Sequence, residues 1–354
     1  MKTGNNTGKR CATGNPVRQM ALLFIGTLGL FFLAATVPAR ADLNTAARLF
    51  DRQKYAEGIE HLEKLVLLGD VRAKDVLGRI LYRGITVAAN AGRGCNLLED
   101  SAIAGIATAQ FGLGQCYEQG KGRTKDLKRA ISWYLKAGET GLARGYCTAG
   151  NFYRYGASGI PRDIARAVAL CQQGAEAGNR DAEAALGTIY LTGENGTPDT
   201  AKALQWLQKA ADQKQLDATF LLGIMYMQGK GVTKNVDKGR EMLTLAARAG
   251  KREAYYMLGQ YFINSYIGAG EPKPRADLQS AVFWFYMASA YDPDANRKKA
   301  AETVLQRLGL TEKGRGQARA AAQKWLDEND CNNPAQAGKI WDVCQFYNIE
   351  QIFP

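Results

Sequence analysis

A glycine-centred phrase returns along this chain every 36 or 37 residues, and nothing else constrains its fold so strongly. It reads VLGRILYRG at 76–84, GLGQCYEQG at 112–120, TAGNFYRYG at 148–156, ALGTIYLTG at 185–193, LLGIMYMQG at 221–229 and, more loosely, MLGQYFINS at 257–265. The central glycines, Gly78, Gly114, Gly150, Gly187, Gly223 and Gly259, are spaced 36, 36, 37, 36 and 36. Six phased copies at that period describe an array of stacked supersecondary units, not a set of independent domains.

Each column has a physical reading when the central glycine is taken as position 0. Alanine (once glycine) stands at −5: Ala73, Ala109, Gly145, Ala182, Ala218 and Ala254. Leucine (once alanine) stands at −1, and an aromatic usually stands at +3: Tyr117, Tyr153, Tyr190, Tyr226 and Phe262. These offsets predict a helix A from about −7 to +5. A glycine inside a helix costs about 1 kcal/mol, so its recurrence predicts close approach by a second helix. A further glycine at +6 (Gly84, Gly120, Gly156, Gly193, Gly229) fits a left-handed helix stop. Asn90, Asp126, Asp163, Asp199, Asn235 and, after a six-residue insertion, Asp277 form an N-cap column for a helix B. Trp133, Leu170, Trp206, Met242 and Trp284 are expected on the apolar face of helix B. The fold class is all-α, an α-solenoid of antiparallel helix pairs.

The combination of columns, A-x-x-x-LG-x-x-Y-x-x-G followed by A-x-x-W-x-x-K-A-A-x-x-G, resembles the Sel1-like repeat, a relative of the tetratricopeptide repeat; 182–214 and 218–250 match it most closely. The resemblance implies an interaction scaffold whose concave side is lined by helix A, working without a cofactor or a metal. It also implies, from exported bacterial relatives, a role in envelope signalling or host interaction. The partner would be a protein, such as the periplasmic part of a membrane sensor or a host protein. Some cysteine-rich relatives have been assigned penicillin-binding or β-lactamase activity. Here no serine begins an S-x-x-K, and the one K-T-G is Lys2-Thr3-Gly4. A single histidine, His61, argues against multi-histidine zinc sites and a serine triad, so no enzymatic role is expected.

The organisation follows. Lys2, Lys9, Arg10 and Arg18 precede an uncharged run from Met20 to Val37 and an A-x-A site at Ala39-Arg40-Ala41, the three parts of a secretory signal over 1–41. An uncleaved anchor is the rival reading of the same run. No later segment is long and apolar enough to span a bilayer, so a periplasmic or secreted protein with no transmembrane segment after signal cleavage is expected. Residues 42–70 read as an N-terminal capping helix pair, 71–292 as six repeats, 293–330 as closing helices, and 331–354 as a disulfide-looped tail.

Export changes how the cysteines read. Outside the signal there are six, and facing positions in a helical hairpin sum to a constant. Cys147 and Cys171 are equidistant from the A–B turn of the third copy, and Cys95 and Cys116 from the B–A turn between the first and second. The expected bridges are Cys95–Cys116, Cys147–Cys171 and, with the two that remain, Cys331–Cys344.

Two binding surfaces are expected. The variable helix-A columns at −4 and +1 are candidates to line the concave groove: Gln110, Tyr146, Glu183, Thr219 and Tyr255 in the first, with Lys74; Gln115, Asn151, Thr188, Ile224 and Gln260 in the second, with Arg79. Their mixture of tyrosines, amides and few charges suits peptide recognition. The second surface is electrostatic. Lysine and arginine total 46 against 34 acids, and 295–325 carries eight basic residues and two acids. Arg297, Lys298, Lys299, Arg307, Arg315 and Arg319 would form a patch for an anionic partner, such as peptidoglycan or an acidic polysaccharide, or else an ordinary solvated face. Nucleic acid is disfavoured by export and by the lack of interleaved aromatics. Gly120-Lys121-Gly122 and Gly229-Lys230-Gly231 lack the order of a P-loop and read as structural glycines.

Overall fold

Small residues at −5 and leucine at −1 are what let helices stack here without gaps, and those columns form the core. Ala73, Ala109, Ala182, Ala218 and Ala254 are fully buried, as are Leu77, Leu113, Leu222 and Leu258. The computed structural model describes residues 43–84, 87–269, 275–308 and 312–329. The expected signal segment and the Cys331–Cys344 bridge lie outside the described residues. Within them the only β pairing is an isolated bridge between Ala157 and Ile160.

Sixteen helices are described. A first pair, α1 (Leu43–Asp51) and α2 (Tyr55–Leu67), leads into six A–B hairpins. These are α3 (Val71–Arg83) with α4 (Ala91–Ile103), α5 (Ala107–Gln119) with α6 (Leu127–Glu139), and α7 (Arg144–Tyr155) with α8 (Ile164–Glu176). Then come α9 (Arg180–Thr192) with α10 (Thr200–Asp212), α11 (Leu216–Gln228) with α12 (Val236–Arg248), and α13 (Glu253–Gly268) with α14 (Arg275–Tyr291). Helices α15 (Ala295–Arg307) and α16 (Glu312–Asn329) both pack on α14.

The central glycine sits where helix B crosses closest. A Cβ built on Gly114 would lie 2.7 Å from the Tyr134 ring, and one on Gly187 2.6 Å from Leu207. The residue met is one column beyond the tryptophans: Leu98, Tyr134, Cys171, Leu207, Leu243 and Phe285, all fully buried. Trp133 and Trp206 are only half-buried, with the Lys136 and Lys209 ammonium groups 5.1 and 4.4 Å from their ring centres. The expected helix-B column therefore lies on the apolar face, packed against the core and with Trp284 itself buried, while the most deeply buried residues stand one position further on.

The A–B loop closes in the same way in the first five repeats. Asn90, Asp126, Asp163, Asp199 and Asn235 each accept, through the side chain, the backbone N–H three residues on. Each also donates its own backbone N–H to the carbonyl of position +3, at 2.7–2.9 Å. The residue that supplies the cap's N–H carries a cation, and that cation lies over the same repeat's tyrosine: Arg129 over Tyr117, Arg166 over Tyr153, Lys202 over Tyr190 and Lys238 over Tyr226, at 4.1–5.6 Å.

Two positions depart from the expected columns. Asp277 is not an N-cap: α14 begins two residues earlier, and its carboxylate accepts the Ser265 hydroxyl at 2.6 Å. Gly84, Gly120, Gly193 and Gly229 take the left-handed conformation, but Gly156 combines φ 72° with ψ 158° and leads into the Ala157–Ile160 bridge.

Cys95 and Cys116 are disulfide-bonded across α4 and α5, with Cα atoms 6.2 Å apart. Cys147 and Cys171 are bonded across α7 and α8, at 4.1 Å. Both pairings match the hairpin geometry read from the sequence. No helix among the described residues is long and apolar enough to cross a membrane.

Candidate binding face

Helices A form the inner layer of the array. At three of the five junctions between repeats they pack on one another, α3 on α5, α7 on α9 and α9 on α11, more closely than neighbouring helices B do. The side of helix A that faces away from helix B is therefore the candidate binding face.

Helical geometry divides the two expected columns. Position −4 is one turn from the central glycine and shares its B-facing side. Gln110, Glu183, Thr219 and Tyr255 are accordingly buried. Gln110 donates to the Ala102 carbonyl at 3.2 Å, and Glu183 accepts from the Gln213 amide at 2.7 Å. Thr219 donates to the Gln215 carbonyl, and Tyr255 stacks on Trp284 with Trp325 at its edge. Burial raises the Glu183 carboxyl pKa and pushes the Tyr255 phenol up to about 12. Tyr146 is half-buried against Gly138 of α6, and Lys74 is paired with Asp100 at 2.7 Å. The −4 column therefore packs repeats together, and as it stands it offers a ligand little surface.

Position +1 lies about 100° further round. Gln115, Asn151, Thr188, Ile224 and Gln260 are all half-exposed and follow one another from helix to helix, while Arg79 at the head of the row is buried. The row pairs with position −3 one turn back, a column the sequence reading did not single out. Arg79 makes a two-pronged ion pair with Asp75 at 2.9 and 3.1 Å, and the Thr108 hydroxyl also donates to Asp75, at 2.7 Å. The Gln260 amide donates to the Tyr256 hydroxyl at 3.0 Å. Between repeats, the Tyr82 hydroxyl donates to the Gln119 side chain at 2.8 Å, and Arg154 clasps Glu194 at 2.6 and 2.8 Å. The signal for the −3 column was present as an i, i+4 relation to +1; its mixed chemistry hid it.

The C-terminal basic residues are not equivalent. Arg297 is held by Asp292 at 2.8 and 2.9 Å, and Arg319 donates to the Tyr286 hydroxyl at 3.0 Å while remaining exposed. Lys299 and Arg307 are exposed and Lys298 is half-exposed. The Arg315 side chain lies outside the described residues. In the glycine-lysine-glycine loops, the second glycine meets the start of the preceding helix B. A Cβ on Gly122 would lie 2.4 Å from the Ala91 carbonyl, and one on Gly231 2.6 Å from Thr200. That is a packing role and not a phosphate cradle.

The family model for the Sel1 repeat matches residues 107–142, 145–179, 180–214, 216–251 and 252–290, just over half of the chain. The chain belongs to the Sel1-repeat family. Residues 71–103 continue the Sel1 hairpin geometry one unit N-terminal of the matched span. The chain is similar to a protective antigen of uropathogenic Escherichia coli that displays an SLR fold. The identity is 28%, covering 84% of this chain and 63% of the antigen, with a TM-score of 0.69. It shares its fold with a Sel1 repeat protein from Oxalobacter formigenes, at 22% identity over 75% of this chain and all of the other, with a TM-score of 0.60. It is also 32% identical over 182 residues to chitin synthase regulatory factor 3 of Schizosaccharomyces pombe. That match takes in 51% of this chain but only 19% of the yeast protein, so the chain spans less than two-thirds of both the antigen and the yeast factor. Sel1 repeats are in general protein-interaction scaffolds.

Proposed function

We propose that this Sel1-repeat protein is an exported, non-enzymatic scaffold that binds a protein partner along the inner face of its helices A, as a regulator or envelope-signalling component. One observation carries the reading: the +1 row, Gln115, Asn151, Thr188, Ile224 and Gln260, varies in chemistry at a fixed register on an otherwise repeating framework. A repeat that keeps its packing columns and varies one half-exposed column presents a graded surface to an extended ligand. Two disulfides support export, because such bridges persist in oxidising compartments. The regulatory role of the yeast relative and the antigenic character of the bacterial one fit a scaffold that acts by binding.

The test is retention of a partner from gently solubilised cell envelope, read by mass spectrometry. A single stoichiometric protein, lost when Gln115, Asn151 and Thr188 are changed together to alanine, supports the reading. The exposed Lys299, Arg307 and Arg319 favour a second reading, binding of an anionic envelope polymer. Capture of glycan alone, released by salt and abolished by neutralising those three, would favour it instead.

A further inference from the structure

The two edges of the array differ in charge. The five A–B loops at 84–94, 120–130, 156–166, 193–203 and 229–239 carry twelve lysines and arginines against five acids. The five B–A turns at 103–110, 139–146, 176–183, 212–219 and 248–255 carry six against seven. Eleven of the twelve loop cations are exposed, Arg123 being the exception. The loops follow one another along one edge. Arg123 reaches back from the second to the Cys95 carbonyl and Glu99 of α4, and Arg154 and Glu194 join the third to the fourth. Gly231 of the fifth is seated against Thr200 of α10. The loop acids are already committed: Asp126, Asp163 and Asp199 cap helices B, Glu194 holds Arg154, and Asp237 faces Arg240. Lys121, Lys125 and Lys128 in the second loop, with Lys230 and Lys234 in the fifth, have no carboxylate partner among the described residues.

A row of exposed, unneutralised cations attracts an extended negative surface. We propose that the A–B edge docks on an anionic lipid bilayer, touching the headgroups without entering the hydrocarbon. This goes beyond the proposed function and does not rest on it, because the inner face stays open to a partner whichever way the edge is used. Two features favour a lipid surface over a soluble polyanion. Tyr155, 68% exposed, and Ile267, 64% exposed, stand at the A–B ends of α7 and α13, on the same edge as the cations. Aromatic and apolar side chains beside lysines suit the headgroup level, where an apolar body and a hydrated tip are both accommodated. In the second and fifth loops, moreover, six of the eight cations are lysines. Lysine is a point charge on a flexible stem, suited to diffuse surface charge, whereas arginine forks suit two-pronged recognition of single groups. The opposite edge exposes Leu67, Leu68 and Ile103 but has no charge excess to draw it to an anionic surface.

The experiment is sedimentation of the full-length protein with vesicles of phosphatidylcholine alone and of phosphatidylcholine with about 30% phosphatidylglycerol, beside a soluble polyanion, dextran sulfate. The run Met20–Val37 is common to every variant, so the readout is the preference between the two vesicles and not total binding. The wild type should bind the anionic vesicles about tenfold or more the tighter, and raised salt should remove the preference. Lys121→Gln, Lys125→Gln and Lys128→Gln together should abolish most of it, at about fivefold for each cation. Two variants with the same loss of charge should keep it: Lys214, Arg248 and Arg252 to glutamine on the opposite edge, and Lys299, Arg307 and Arg319 to glutamine at the C-terminal end. Tyr155→Ala should weaken binding to the anionic vesicles several-fold and leave dextran sulfate binding unchanged. All these residues are exposed, and an unchanged circular dichroism spectrum shows the fold intact. Equal losses in the three triple variants, a loss confined to the C-terminal one, or no preference between vesicles would overturn the edge as a docking surface. Dextran sulfate held by the same three lysines, with vesicle binding indifferent to Tyr155, would put a soluble polymer in place of the lipid and overturn the proposal as well.

Discussion

At the residue scale, a glycine inside helix A is worth more than the helix propensity it forfeits. Exchanging glycine for alanine in an open helix gains about 0.5–1 kcal/mol. Gly316 on α16 has nothing within 4 Å of a built Cβ, so Gly316→Ala should show that gain. At Gly114 the same change drives a methyl into the fully buried Tyr134 ring, and overpacking costs about 1–3 kcal/mol. Urea unfolding of the two variants should therefore shift in opposite directions. The clasp of Arg154 by Glu194 gives a pH signature. The hydrogen bond to Arg154 holds the Glu194 carboxyl below the usual carboxylate range, so its contribution is complete above that range and disappears as pH falls through the lowered folded value. Glu194→Gln should cost about 2 kcal/mol at neutral pH, leaving the nearly buried Arg154 without its counter-charge. The difference from wild type should close in acid; a deficit unchanged from neutral to strongly acidic pH would contradict the clasp.

At the element scale, each hairpin is closed by two turns, and the sequence shows the first better than the second. The A–B turn carries its signal openly, in a glycine stop and an Asx cap, and the structure repeats it with the cap's N–H tied to position +3. The B–A turn uses a positive-φ residue just after helix B: Gly105, Gly141, Gly178 and Gly250 at equivalent places, but Lys214 at φ 60° in the fourth repeat. A lysine held there is strained where glycine is not. Lys214→Gly should raise stability by about 0.5–1 kcal/mol, while Gly250→Ala should lower it, both measurable by thermal melting. The −4 column shows why the candidate site was only half legible. Variability marked it as a surface, but its place one turn from the central glycine turns it toward helix B, as the buried Gln110 and Glu183 demonstrate. Periodicity carried that information and composition did not. Asp277 misled for a different reason, since an insertion changes where α14 begins relative to its cap residue.

At the scale of the whole molecule, a repeat array is held by nearest-neighbour interfaces, so the two disulfides do different work. Cys147–Cys171 staples one hairpin, whereas Cys95–Cys116 joins the first repeat to the second. Each closes a loop of just over twenty residues and should contribute about 3 kcal/mol. Replacing Cys95 and Cys116 by alanine should let α1–α4 open independently of the rest in native-state hydrogen exchange. Replacing Cys147 and Cys171 should lower stability without creating that break. The hairpins and both bridges were readable because each repeats or satisfies a simple geometric constraint. The clasp of Arg154 by Glu194 was not, because its partners belong to different repeats and meet only when the hairpins stack. The most direct measurement places a photo-crosslinking benzoylphenylalanine in turn at 115, 151 and 188 on the inner row, at 205 and 245 on helices B, and at 307 on α15, and reads partner adducts in intact cell envelope. Adducts confined to the three inner positions are expected. Adducts only from 205, 245 or 307 would contradict the inner face as the partner site.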